Sequence, residues 1–126
     1  MARHNQLSKH RTTWTENNGA IVVCYIRTNI VVADADGNVT LNSDGWQTVT
    51  TKRKMNQAAW QFALGYGVHQ RKGEWFVDVW SPALSKWLGL KMPYHDGMAI
   101  NPRKLRLAHN AATALDYEEL KTAGVS

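Results

Sequence analysis

Residues 46–64, WQTVTTKRKMNQAAWQFAL, decide the fold, because the spacing of apolar side chains changes period inside them. Trp46, Thr48 and Thr50 alternate with Gln47, Val49 and Thr51 as they would along a strand. Met55, Ala58, Ala59 and Phe62 then recur three and four residues apart, as on one face of a helix. The spacing predicts a helix from about Thr51 to Leu64. Thr50 or Thr51 supplies its N-cap oxygen, and Gly65 and Gly67 stop it.

Upstream, Ile21 to Ile26 and Ile30 to Ala33 read as β-rich runs, with Arg27, Thr28 and Asn29 forming a turn or a bulge between them. Asp34 to Asn38 is a turn before a short strand at Val39 to Leu41. Its acidic start resembles a calcium loop, but the sixth and twelfth positions hold Val39 and Gly45 where that loop needs glycine and glutamate. Downstream, Val68 to Gln70 and Glu74 to Trp80 form a hairpin around Arg71-Lys72-Gly73. Residues 81–96 read as a long irregular excursion, Met98 to Ile100 as a last short strand, and Pro102 as the first turn of a C-terminal helix. Leu105, Ala108, Ala112 and Leu115 are its apolar stripe. The expected fold is α+β, an antiparallel sheet packed on one central helix with an additional C-terminal helix. It divides into a basic N-terminal arm at 1–13, an α+β domain at 14–101, and a helix and tail at 102–126.

The chain has 126 residues, the size of one domain. Its six tryptophans can supply a dense core, but not all of them are expected to fit inside it. Cys24, the one cysteine, lies in an apolar run and reads as a buried thiol suited to a reducing compartment. No apolar stretch reaches the ~20 residues of a membrane span, and no apolar segment follows the basic start as a secretory signal requires. Fifteen Lys and Arg against ten Asp and Glu give a net charge of +5, which favours anionic partners. Arg3, His4, Lys9, His10 and Arg11 make the first segment basic.

Gly45-Trp46-Gln47-Thr48-Val49-Thr50-Thr51-Lys52, followed by Arg53-Lys54-Met55-Asn56, resembles a Gly-Trp-x-Thr-x-Thr-Thr-Lys segment in a group of small bacteriophage proteins. Ile30-Val31-Val32, Val39 to Asn42, Gln70-Arg71-Lys72-Gly73-Glu74-Trp75 and Asp96-Gly97-Met98 extend the likeness over roughly residues 20–100. The resemblance implies a phage gene product acting in the host bacterial cytoplasm, and it brings no reaction or ligand with it.

The strongest chemical feature is the helix start. Four unpaired N–H groups and the positive end of the helix dipole suit a phosphate there. Thr48, Thr50 and Thr51 add hydroxyl donors, and Lys52 and Arg53 add charge-assisted bonds. Three cations in a first turn oppose the dipole, a cost that an anionic ligand would relieve. Trp60 falls opposite the Met55–Phe62 stripe, near Asn56, where an indole could stack a nucleobase. Arg71 and Lys72 at the hairpin tip extend the basic surface, as do Arg103, Lys104 and Arg106, and their interleaving with Trp75, Trp87 and Tyr94 fits a nucleic-acid groove. Catalytic groups are sparse: Asp44, Asp78 and Asp96 are scattered, and no histidine pair stands at metal-ligand spacing. No enzyme activity, cofactor or metal is expected. The residues point to a non-enzymatic phage accessory protein that binds a nucleotide-type phosphate ligand, sequestering a nucleotide signal of host defence. DNA or RNA binding and inhibition of a host enzyme are the alternatives, and the apolar surface of Trp60 and the last helix allows a homo-oligomer.

Overall fold

The computed structural model describes residue 7 and residues 9–122, with side chains as far as residue 112. The order of elements is β1 (Thr12–Asn17), β2 (Ala20–Tyr25), β3 (Thr28–Ala33), β4 (Val39–Leu41), α1 (Val49–Gln61), β5 (Tyr66–Arg71), β6 (Glu74–Ser81), β7 (Lys86–Trp87), β8 (Met92–Pro93), β9 (Met98–Ile100) and α2 (Pro102–Thr122). This is the α+β architecture expected, with its antiparallel strands divided between two sheets. One runs β1-β2-β3-β4-β9; the other pairs β5, β6 and β7 in that order, with β8 also on β6.

Two-residue turns build the hairpins. Asn18-Gly19 and Lys72-Gly73 both have positive φ at each position, the geometry that matches the twist of the flanking strands. The β2–β3 turn is Ile26-Arg27, and the register also slips between Val23 and Cys24, so turn and bulge are both present in this stretch. Ile26 sits at φ 58, a strained place for a β-branched residue.

α1 lies between the sheets, packing on β5 and reaching β3. Val23, Ile30, Val31, Leu41, Met55, Ala58, Val68 and Val77 bury fully in the single cluster that this creates. Asn56 fixes the helix to β5: its amide donates to the Val68 carbonyl at 2.9 Å and accepts from the Val68 N–H at 2.7 Å. The Tyr66 hydroxyl donates to the Met55 carbonyl at 2.7 Å, and burial pushes its pKa upward.

Several boundaries differ from expectation. β1 is a polar edge strand that only Thr12 and Trp14 anchor, so its sequence carries little hydrophobic alternation. It begins inside the segment read as a basic arm, and Leu7 is buried with its N–H donating to Gln61 Oε1 at 2.8 Å. Arg3 and His4 lie outside the described residues. The alternation at Trp46–Thr51 is not a strand; residues 44–48 turn, and α1 starts at Val49 with Thr48 as N-cap. α1 ends at Gln61, before the glycines. Leu64 N–H bonds the Ala59 carbonyl and Ala63 N–H the Trp60 carbonyl, a Schellman closure with Ala63 at φ 53 where glycine is usual. Cys24 is partly rather than fully buried. On α2, which packs on β6, Leu105 is half-buried while Ala108 and Ala112 are exposed. Leu115 lies beyond the described side chains.

Two glycine exchanges test these local readings in opposite directions. At Gly67 an added Cβ would overlap the six-membered ring of Trp87. Gly67→Ala should therefore lower stability by about 1–3 kcal/mol in urea unfolding. Ala63→Gly should raise it by about 1 kcal/mol by relieving the left-handed strain. An unchanged midpoint in both variants would show that neither the ring seat nor the closure is built this way.

Candidate functional site

The Asp96 carboxylate sets up the start of α1. Oδ1 accepts from the Ser43 N–H at 2.9 Å, the Ser43 hydroxyl at 2.7 Å and the Tyr94 hydroxyl at 2.7 Å, while Oδ2 accepts from the Gly45 N–H at 2.8 Å. Partial burial opposes the charge. The bonds from Ser43 and Tyr94, with the Gly45 N–H, outweigh that and bring the pKa down to about 2. Thr48 Oγ1 then accepts from the Thr51 N–H at 3.1 Å and lies 3.0 Å from the Thr51 hydroxyl. The hydroxyls of Thr48 and Thr51 are thus turned to each other and to the helix, and Thr51 is buried. Thr50 and Arg53 are exposed. Beside this turn lies a cavity of about 300 Å³ between the β2–β3 turn and residues 43–46, walled by Tyr25, Arg27, Asp44 and Trp46. Lys54 is buried here, its ammonium 5.1 Å from the centre of the Tyr25 ring, and desolvation lowers its pKa.

The cations that do come together lie on the other flank. Lys52 Nζ donates to Gln70 Oε1 at 3.0 Å, which joins the helix start to the strand carrying Arg71 and Lys72. Arg71, Lys72 and Lys91 border a cleft of about 390 Å³ with Trp75, Phe76 and Pro93, opposed by the single carboxylate of Glu74. Of the residues predicted for the site, Arg71 and Lys72 line this cleft, and Lys52 reaches only the neighbouring Gln70. Asn56 is committed to the Val68 backbone. Trp60 lies two turns further along the helix, about 12 Å by its rise from Lys52.

An aromatic ribbon crosses the outer side of the second sheet. Phe76 stacks on His69 at 5.4 Å, His69 meets Trp87 edge-on at 4.5 Å, Trp87 meets Trp80 at 5.1 Å, and Trp80 meets Trp60 at 5.8 Å. Phe76, His69, Trp80 and Trp87 are each partly exposed, and Trp60 is 50% exposed. Burial lowers the His69 pKa, with Asp78 opposing and Lys52 adding to the shift. Its Nε2 is buried with no hydrogen-bond partner, the one such side-chain atom among the described residues. At the far end, Trp60, Trp80 and Trp87 frame a pocket of about 340 Å³ with Tyr66 and Pro82, and Arg106 stands at its rim.

Sequence reading missed Gln70, Phe76, Trp80 and Lys91. The signal for two of them was present: Phe76, Asp78 and Trp80 alternate along β6 and so share its outer face. Asp78 is buried there and accepts from the N–H groups of Val79, Gly89 and Leu90 at 2.8–3.1 Å, which leaves it a loop anchor. Among the described residues no three His, Cys, Asp or Glu side chains group as metal ligands, and no helix is long and apolar enough to cross a membrane.

Residues 1–101 match the family model described as Kyanoviridae Gp96 protein. No curated protein and no solved structure matches the chain.

The Asp96 clamp has a pH signature. Its folded pKa lies below the ordinary carboxyl value of 3.8, so its stabilising contribution is complete above about pH 4 and is lost as the pH falls toward 2. Thermal unfolding between pH 2 and 6 should show that fall, and Asp96→Asn should flatten it while lowering the melting temperature at neutral pH. An unaltered profile in the variant would refute the clamp.

Proposed function

The chain belongs to the Kyanoviridae Gp96 protein family, and on that premise we propose that it is a phage accessory protein that works by binding a phosphate-containing ligand of the nucleotide class. The observation that carries this reading is the Lys52–Gln70 bond. It ties the helix start to the residue next to Arg71, beside the hairpin-tip cleft in which Arg71, Lys72 and Lys91 outnumber Glu74. Arg71 supplies a planar fork for two phosphate oxygens, and the lysines supply mobile point charges. Phe76, on the floor of the same cleft, offers a ring to whatever the phosphate carries.

The acidic groups support binding over catalysis. Asp78 and Asp96 are saturated by backbone N–H and hydroxyl donors, so neither is poised to take a proton from a substrate. For a phage product in the bacterial cytoplasm, holding a nucleotide without destroying it would remove a signal of host defence. The six tryptophans also serve as reporters, since ligand seated near them alters their fluorescence.

The test is the double charge reversal Arg71→Glu with Lys72→Glu; Arg71 ends β5 and Lys72 opens the turn, and both are exposed, so their replacement leaves the core untouched. Each charge-assisted bond to phosphate is worth about 1.5–3 kcal/mol, roughly tenfold or more in affinity. Thermal-shift and calorimetric titrations with mononucleotides, cyclic dinucleotides and short oligonucleotides should give binding to the native chain and a loss of at least ~100-fold in the variant. Equal affinity in both proteins would remove the cleft as the site, and no binding by the native chain would remove the reading altogether.

A further inference from the structure

We infer that the ligand is single-stranded nucleic acid, laid along the aromatic ribbon with one base seated in the Trp60–Trp80–Trp87 pocket. This rests on the phosphate-binding reading above and extends it from the cleft to the whole outer side of the second sheet. The cleft holds cations and one ring of the ribbon, Phe76. The pocket holds the other end of the ribbon and a further cation, Arg106. Between them successive rings lie 4.5–5.8 Å apart without a break. A ligand that satisfies both ends therefore repeats the same pair of groups, a flat ring and an anion, along its length. A single nucleotide has one of each; a polynucleotide strand has the repeat.

Three features favour a single strand over a duplex or a protein. Stacking needs open base faces, which a duplex keeps for its own neighbours. Two acidic side chains share the ribbon's face of β6: Glu74 stands among the cations of the cleft, and Asp78 is buried with its oxygens taken up by the N–H groups of residues 89–90, so it is not presented to a phosphate chain. The pocket is also lined by aromatic rings. Trp60 and Trp80 are inclined at 59° and Trp80 and Trp87 at 72°, and all three border it with Tyr66. Its volume of about 340 Å³ lies within the range of small-ligand sites. Arg106 at the rim can pair with the phosphate of the seated base or stack on its edge.

The experiment is a fluorescence-anisotropy titration of the full chain with labelled thymidine oligonucleotides of increasing length, beside thymidine monophosphate and a duplex of matching sequence. Affinity should rise steeply from the mononucleotide to a strand of several residues, level off once the ribbon is covered, exceed that for the duplex, and fall with added salt. Trp60→Ala should cost about tenfold or more on the longer strands and leave mononucleotide binding at the cleft unchanged. Trp60 is half exposed, so the variant keeps the core. Trp60→Phe should recover part of the loss, and Arg106→Ala should reproduce it. If the mononucleotide binds as well as the strands, and loses affinity on reversal of Arg71 and Lys72, the strand inference falls while the cleft reading stands. Tighter binding of the duplex also overturns the inference. No binding of any nucleotide or strand overturns both.

Discussion

The pairing of α1 with β5 is the constraint on which the rest depends. Lys52 and Asn56 stand four residues apart on the helix, a rise of about 6 Å, and Gln70 and Val68 stand two apart on the strand, about 6.6 Å. The two spacings agree, so both polar side chains reach β5 in register, one on the Gln70 amide and one on the Val68 backbone. Tyr66 adds the next rung by bonding the Met55 carbonyl. Because the helix also reaches β3, this register places the second sheet relative to the first, and with it the hairpin tip, the cleft and the ribbon.

The core pattern of the fold was legible because it rests on local periods and turn chemistry. Met55, Ala58 and Ala59 are buried as their spacing requires, and β4, β9 and the β5–β6 hairpin lie where their apolar runs and Lys72-Gly73 put them. What was illegible depends on partners far away in the sequence. Trp46 to Thr51 alternate as a strand would, but Asp96 holds Ser43 and Gly45 and bends the chain before any strand can form. The residue responsible lies some fifty positions downstream, so no local window contains it. Likewise α1 closes on Ala63, a residue that carries no stop signal, because the Leu64 and Ala63 N–H groups find their carbonyls anyway.

The site was legible in its parts and not in its grouping. Thr48, Thr51 and Asn56 read as ligand donors because their types suit a phosphate, yet each has a partner inside the fold. Residue type announces the capacity to donate; only the three-dimensional arrangement shows where the donor is used. Lys52 is the residue where both readings meet, since its ammonium is used within the fold by Gln70 and still carries its charge beside the strand that ends at Arg71. Trp60 was correctly placed opposite the buried stripe, but its neighbours are Trp80 and Arg106 and not the cations of the first turn.

The ribbon answers the question that six tryptophans pose. A structural role alone would bury these rings between layers, as it buries Trp75 at 6% exposure. Instead Trp87 covers Gly67 and shields His69, while the ribbon's outward surfaces stay partly open and Trp60 half open. The arrangement has a cost in the fold itself, a buried His69 nitrogen left without a partner and a glycine required beneath Trp87. A row of partly open rings with cations at both ends is the arrangement that supports the strand proposal.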